Sequence, residues 1–138
     1  ENRPMFDSGS LHLKDYSLGI LTEIAQIINK VPNKISISGH TDATPFSGRP
    51  DYSNWELSSD RANAARRALV LGGLHEDKVA RVVGLSSAVP FFKDDPNHSS
   101  NRRISIIVMK RDMEASLGGM QQPVPEAGPA APVDNFTR

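Results

Sequence analysis

The stretch Ile35-Ser-Ile-Ser-Gly39-His-Thr-Asp42 carries a clear strand pattern, and the other elements of the chain can be placed relative to it. Apolar or small residues alternate with polar ones along it, and this two-residue period is typical of a strand with one buried face. The connection that follows, residues 43–51, holds two prolines and one glycine, which predicts an exposed loop. Asp42 is therefore expected at the carboxyl end of a strand.

A helix is predicted to begin directly after this connection, with Ser53 as its N-cap. Ser53 and Glu56 fit a capping box, in which the two side chains satisfy backbone N–H groups of the first turn. Tyr52 and Leu57 occupy the two positions of a hydrophobic staple. The pair Gly72-Gly73 is expected to end the helix.

Arg61 falls on the apolar side of this predicted helix, among leucine and alanine side chains that would dock on a sheet. Burying a guanidinium without a partner costs several kcal/mol, so Arg61 is expected to be paired. A helix that follows a strand returns along the sheet, and its first turns lie near the strand's carboxyl end, where Asp42 is expected. Two interpretations remain open, an internal Asp42–Arg61 ion pair or a ligand site that uses both charges.

The remaining pattern predicts one more helix and three more strands. Between Lys14 and Val31, apolar residues recur at steps of three and four, which predicts a long helix. Short strands are predicted at Arg3–Phe6, Val79–Leu85 and Ile104–Met109. The last of these is almost continuously apolar, which favours a central position in the sheet with both faces covered.

The order strand, helix, strand, helix, strand, strand predicts an α+β fold. Two helices would cover one face of a mixed four-stranded sheet, giving a two-layer α/β sandwich with the order βαβαββ. We assign residues 1–117 to this domain, including a short helix that follows Arg111 and runs through Leu117. Residues 118–138 are rich in glycine, proline and alanine without an apolar period, and we expect a flexible tail there.

Composition excludes several classes of function. The 138 residues carry 16 Lys and Arg against 16 Asp and Glu, so the formal net charge is zero and nucleic acid is not an expected partner. Cysteine is absent, which excludes disulfides and thiolate sites. No apolar run approaches the roughly 20 residues of a membrane helix, so the sequence itself is expected to be soluble.

Outside the Asp42–Arg61 pair, few residues indicate a metal-binding, catalytic or ligand-binding site. His40 and Asp42 lack a third ligand at metal-binding spacing, so no metal and no cofactor are predicted. The segment Gly84–Ala88 lacks the second glycine of a nucleophile elbow, which argues against a serine hydrolase. Arg102 and Arg103 open the last strand and would point to opposite faces of the sheet, so one can join the site, and we favour Arg102.

Five short stretches resemble, in order and spacing, the signatures of the OmpA-like peptidoglycan-binding domain family over roughly residues 5–110. They are Gly39–Asp42, Asn54–Ser58, Arg61-Ala62, Gly84 with Pro90, and Asn101–Ile104. Within this family, the form Ser53-Asn-Trp-Glu-Leu-Ser58 and the long loop before it resemble the branch that anchors flagellar motor stators to the cell wall.

The resemblance implies a noncatalytic domain that binds the diaminopimelate of the peptidoglycan stem peptide. Asp42 would bind the ammonium and Arg61 the carboxylate of its zwitterionic end, and Thr41, Asn54 and Leu57 would shape the pocket. An arginine can hold a carboxylate in a bidentate fork.

The resemblance also implies partners and a location. It suggests a homodimer in the periplasm, linked to a membrane channel partner subunit through an N-terminal part and an inner-membrane helix that this sequence does not contain. The alternatives are a wall anchor of another envelope protein, a cell-wall peptide hydrolase, and a dimerisation domain in which Asp42 and Arg61 simply pair.

Overall fold

The computed structural model describes residues 4–110, which form two helices and a mixed sheet. The elements in chain order are α1 (Asp15–Asn29), β1 (Ile35–Gly39), α2 (Asn54–Leu71), β2 (Val79–Gly84) and β3 (Ile104–Val108), with 3-10 turns at Glu76–Lys78 and Ser99–Asn101. No helix in this part of the chain is long and apolar enough to cross a bilayer. The predicted short helix after Arg111 and the predicted tail lie outside it.

The strands are arranged in the order β2-β1-β3, with β1 parallel to β2 and antiparallel to β3. This confirms the α+β class and the mixed sheet, which has three strands within residues 4–110. Of the predicted strand Arg3–Phe6, the first residue lies outside the described part, and Phe6 forms only an isolated antiparallel bridge with Leu13. Next to it, the N–H of Met5 donates to the carbonyl of Arg102 at 3.2 Å, beside the start of β3.

The central strand is β1, and the central position predicted for Ile104–Met109 is wrong for the described sheet. β3 lies at an edge, and Ile107 and Val108 are 55% and 50% exposed. Within the apolar run of β3, Ile104 and Ile106 pack against the core. A continuous apolar pattern does not distinguish a strand covered on both faces from an edge strand with exposed apolar side chains.

Both helices pack on the same face of the sheet, where α1, α2 and β1 supply most of the core. The buried apolar cluster consists of Leu21, Ala25, Ile28, Ile35, Ile37, Ala62, Ala65, Leu69 and Leu74. On the opposite face of β1 the alternating polar side chains are also buried. There Ser36 accepts a hydrogen bond from Arg81 Nε at 3.1 Å, and His40 Nε2 lies 3.1 Å from Ser105 Oγ.

Helix α2 approaches the ends of β1 and β2 at backbone distance, because both strands end in glycine. A Cβ added to Gly39 would lie 2.0 Å from the carbonyl oxygen of Ser58, and one added to Gly84 would lie 2.2 Å from Ser59 Oγ. No larger residue fits at Gly39 without a shift of the helix backbone. The second turn of α2 is thereby held against the carboxyl end of β1.

The start of α2 is fixed by the predicted capping box. Ser53 Oγ accepts a hydrogen bond from the N–H of Trp55 at 3.1 Å, and Glu56 Oε1 accepts one from the N–H of Ser53 at 2.7 Å. These bonds satisfy N–H groups that the first helical turn leaves free. The cap determines where the first turn of α2 lies relative to the end of β1.

Candidate ligand-binding site

A pocket with a volume of about 330 Å³ opens at the carboxyl end of β1. Its walls come from residues 8–9, the β1–α2 connection, the first turns of α2 and the start of β3. All six residues singled out in the sequence line it: Thr41, Asp42, Asn54, Leu57, Arg61 and Arg102. The strand end and the helix start therefore come together as the sequence predicts.

Asp42 forms an ion pair with Arg102. Arg102 Nη1 donates to Asp42 Oδ2 at 2.8 Å, and the two side chains are only 14% and 8% exposed. The second carboxylate oxygen, Oδ1, accepts a hydrogen bond from the N–H of Thr44 at 3.0 Å. The internal Asp42–Arg61 pair that the sequence left open is not formed, because Arg102 occupies that role.

Arg61 is fully buried and is bound by backbone carbonyls. Its Nε donates to Ser10 O at 2.9 Å, Nη1 to His40 O at 3.3 Å and Nη2 to Asp7 O at 3.0 Å. The guanidinium carbon also lies 4.7 Å from the centre of the Phe6 ring, a cation–π contact. The sequence correctly implied that this buried guanidinium needs partners, but those partners are carbonyls of the first loop and of β1's end.

Burial and a like charge both act on Arg61. Desolvation lowers the pKa of Arg61 to about 10, the positive charge of Arg102 adds to that shift, and the negative charge of Asp42 opposes it. The group remains protonated at neutral pH. The pocket therefore contains two positive side chains beside one carboxylate.

The two arginines that open β3 diverge, as alternating strand side chains do. Arg102 turns into the pocket, where its Nε also donates to Phe6 O at 2.7 Å. Arg103 turns the other way, donates from Nη2 to Val89 O at 3.0 Å and lies over the Phe91 ring at 5.8 Å. Burial lowers the pKa of Arg103. One arginine joins the pocket, and it is the one that the sequence favoured.

Thr41 and Asn54 hold the connection that forms one wall. Asn54 Nδ2 donates to Thr44 O at 3.0 Å, and Thr41 Oγ1 donates to Asp42 O at 2.8 Å. Sequence reasoning missed Phe46, which also lines the pocket and packs on Tyr52 with the ring centres 4.9 Å apart. The position of this aromatic residue within a proline-rich loop was the sequence feature that could have indicated its role in the pocket.

Asn101 is a second residue whose structural role the sequence did not indicate. It is fully buried, its Oδ1 accepts from the N–H of Phe92 at 2.8 Å, and its Nδ2 donates to the carbonyls of Asp95 and Pro96 at 3.1 and 3.2 Å. The same Pro96 carbonyl accepts from the N–H of Ala43 at 2.9 Å. Asn101 thus supports the chain as it leaves β1.

The structure offers no support for a metal site in the described range. Residues 4–110 contain no group of three or more histidine or carboxylate side chains that could hold a metal ion. The ring of His40 contacts Ser105, and burial together with the charge of Arg103 lowers the pKa of His40 to about 4. This histidine is therefore neutral at neutral pH.

Comparison with known proteins places this geometry in a family. A family model described as OmpA family matches residues 5–103, which include every part of the pocket. The chain belongs to the OmpA family.

Three proteins are similar to this OmpA-family chain over most of its length. Motility protein B of Escherichia coli (strain K12) is 48% identical over 118 residues, which are 85% of this chain and 38% of that protein. The C-terminal domain of Helicobacter pylori MotB superposes with a TM-score of 0.70 over 86% of this chain and 94% of that chain at 23% identity. The peptidoglycan-associated lipoprotein from Burkholderia pseudomallei is 30% identical, with a TM-score of 0.62 over 77% of this chain and 88% of that chain.

These similarities support different conclusions about the chain. The Helicobacter likeness establishes the fold, and the Escherichia coli relative links the sequence to a motility protein. The chain spans less than half the length of that motility protein.

Proposed function

We propose that this chain is a noncatalytic peptidoglycan-binding domain that anchors a flagellar motor stator, a proton channel complex, to the cell wall. The observation that carries the proposal is the pocket at the end of β1, in which Asp42, Arg61 and Arg102 place charges of both signs within one small volume. The 48% identity to motility protein B supports the flagellar assignment. The name of the 30% identical lipoprotein supports peptidoglycan as the partner.

The ligand is the zwitterionic end of diaminopimelate, which carries one ammonium and one carboxylate. Asp42 takes the ammonium, because each carboxylate oxygen has a lone pair beyond the one that it uses with Arg102 or Thr44. Arg61 takes the carboxylate, since each of its terminal nitrogens carries a second N–H beyond the one given to a backbone carbonyl. Asn54 and Leu57 close the pocket from the α2 side.

Access to Arg61 requires a small movement. The side chain has no exposed surface without a ligand, and residues 7–10 supply two of its three carbonyl partners. A shift of that first loop, or of Arg102, opens the guanidinium to the ligand carboxylate. The binding energy of the charge-assisted bonds offsets the cost of the movement.

The remaining parts of the proposal concern the longer protein. The domain works in the periplasm as a homodimer, and an N-terminal part with an inner-membrane helix connects it to the channel partner subunit. The chain covers 38% of motility protein B of Escherichia coli, which leaves room for such a part.

Cosedimentation with purified sacculi tests the binding function. We expect the unmodified domain to pellet with sacculi and the variants Asp42→Asn and Arg61→Lys to remain in the supernatant. Asp42→Asn loses the negative charge that binds the ammonium, and Arg61→Lys loses the bidentate guanidinium that binds the carboxylate. Arg67→Lys, at an exposed position of α2, is the matched control and should pellet normally. Far-UV circular dichroism establishes that each variant is folded. Unchanged pelleting of both site variants would refute the proposal.

A further inference from the structure

The charges that line the pocket do not cancel. Of its lining residues, Asp42 is negative and Arg61 and Arg102 are positive, so the lining carries one excess positive charge. Lys14 Nζ and Asp7 Oδ1, next to the lining residue Ser8, pair with each other at 2.6 Å and add no net charge. In the first turn of α2, the carboxylate of Glu56 accepts a hydrogen bond from the N–H of Ser53 and offsets the partial positive charge of the helix N-terminus, so the excess charge of the lining comes from its two arginines.

A simple zwitterion leaves this excess charge in place. One ammonium and one carboxylate add no net charge, while the ligand displaces water from the partly exposed guanidinium of Arg102. A buried charge without a counterion is unfavourable, so a ligand with one more anionic group complements the pocket better.

Arg102 is where that group can bind. Its Nε donates to Phe6 O and its Nη1 to Asp42 Oδ2, whereas its Nη2 has no hydrogen-bond partner within residues 4–110. The Arg102 side chain is 14% exposed, in contrast to the fully buried Arg61. The remaining N–H groups of Arg102 are thus the most accessible charged donors of the pocket.

We propose that the wall fragment preferred by this pocket carries two carboxylates beside its single ammonium, and that the second carboxylate binds Arg102 Nη2. This inference rests on the proposed function and specifies the ligand further. In a stem peptide, two carboxyl groups near the zwitterionic end can serve: the α-carboxyl of the preceding glutamate and the carboxyl of the other diaminopimelate centre. Each would form a charge-assisted hydrogen bond with the guanidinium.

Calorimetric titration with soluble N-acetylated tripeptides of alanine, γ-linked glutamate and diaminopimelate, whose single ammonium is that of diaminopimelate, tests the inference. All ligands keep the zwitterionic end, and they differ in amidation of the glutamate carboxyl, of the other diaminopimelate carboxyl, or of both. We expect the doubly amidated peptide to bind roughly tenfold more weakly than the free peptide, which corresponds to about 1.4 kcal/mol. The two singly amidated peptides identify which carboxyl is responsible.

The variant Arg102→Gln shows whether the preference arises at this residue. It removes the guanidinium that would bind the second carboxylate, so the ratio between the affinities for free and amidated peptides should fall to about one, whatever the affinity of the variant for the zwitterionic end. Arg67→Gln changes the net charge equally at an exposed position of α2 outside the pocket lining and should keep the wild-type ratio.

Equal binding of free and doubly amidated peptides by the unmodified domain would overturn this inference alone, because the zwitterion would still bind. A preference that persists in Arg102→Gln would also overturn it. Absence of binding by every peptide, together with failure to pellet with sacculi, would overturn the proposed function as well.

Discussion

Arg102 Nη1 lies 2.8 Å from Asp42 Oδ2, and this contact joins the start of β3 to the end of β1 at the mouth of the pocket. Both side chains are largely shielded from water. Because screening is weak there, the pair contributes to folding as well as to the charge pattern that a ligand meets.

A double-mutant cycle should detect this pair. We expect Asp42→Asn and Arg102→Gln each to lower the free energy of unfolding, and the double variant to lose less than the sum, with a coupling energy of about 1–3 kcal/mol. Urea unfolding of the four proteins, followed by circular dichroism, measures it. Strictly additive losses would show that the two groups do not interact in solution.

Replacing Arg61 should cost more stability than any change at the pocket mouth. Arg61→Met removes three hydrogen bonds and leaves the carbonyls of Asp7, Ser10 and His40 without this donor, so we expect a loss of about 3–5 kcal/mol. Arg67→Met, at an exposed position of the same helix, should change stability by less than about 0.5 kcal/mol. Similar melting temperatures for the two variants would contradict the structural role of Arg61.

Local signals in the sequence were sufficient for most of the fold. The strand alternation placed β1, the capping box placed the start of α2 at Ser53, and the apolar period placed α1. These features depend on neighbouring residues, whose interactions repeat with the period of the element.

The partners of the buried charges could not be predicted in the same way. Arg61 binds carbonyls up to 54 positions away, in a first loop whose backbone direction no side-chain pattern encodes. The choice of Arg102 as the partner of Asp42 depends on the register between β1 and β3, which pairs Gly39 with Ile104. The edge position of β3 likewise depends on strand order rather than on composition.

The stability of the domain should fall below pH 6.5 because of His40. Its pKa in the folded state, about 4, lies below the ordinary value of 6.5, so the unfolded chain binds a proton first and stability decreases as the pH falls from 6.5 to 4. Between pH 7 and pH 5 this group accounts for a loss of about 2 kcal/mol.

Urea unfolding at the two pH values measures this loss. In His40→Gln the loss should be smaller by about that amount, while His12→Gln, at an exposed position, should retain it. A proton NMR titration in which His40 protonates near its ordinary pKa would contradict the expectation.

Two glycine-to-alanine changes should have opposite effects. Gly39→Ala places a Cβ 2.0 Å from Ser58 O and forces α2 away from β1, so we expect a loss of at least about 2 kcal/mol and weaker sacculus binding. Gly19→Ala lies within α1 with no atom within 4 Å of the new Cβ, and it should stabilise the domain by about 0.5–1 kcal/mol. Thermal unfolding distinguishes them, and a neutral Gly39→Ala would mean that α2 does not approach β1 so closely.

The hydrogen bonds of Arg102 span 96 residues to Phe6 and 60 residues to Asp42. Contacts of such sequence separation cost loop-closure entropy and are therefore slow to form. The pocket is therefore complete only when the last strand has docked. A partly folded chain lacks the contacts that Arg102 makes with Phe6 and Asp42. Under the proposed function, binding of the cell-wall peptide therefore requires that the last strand has docked.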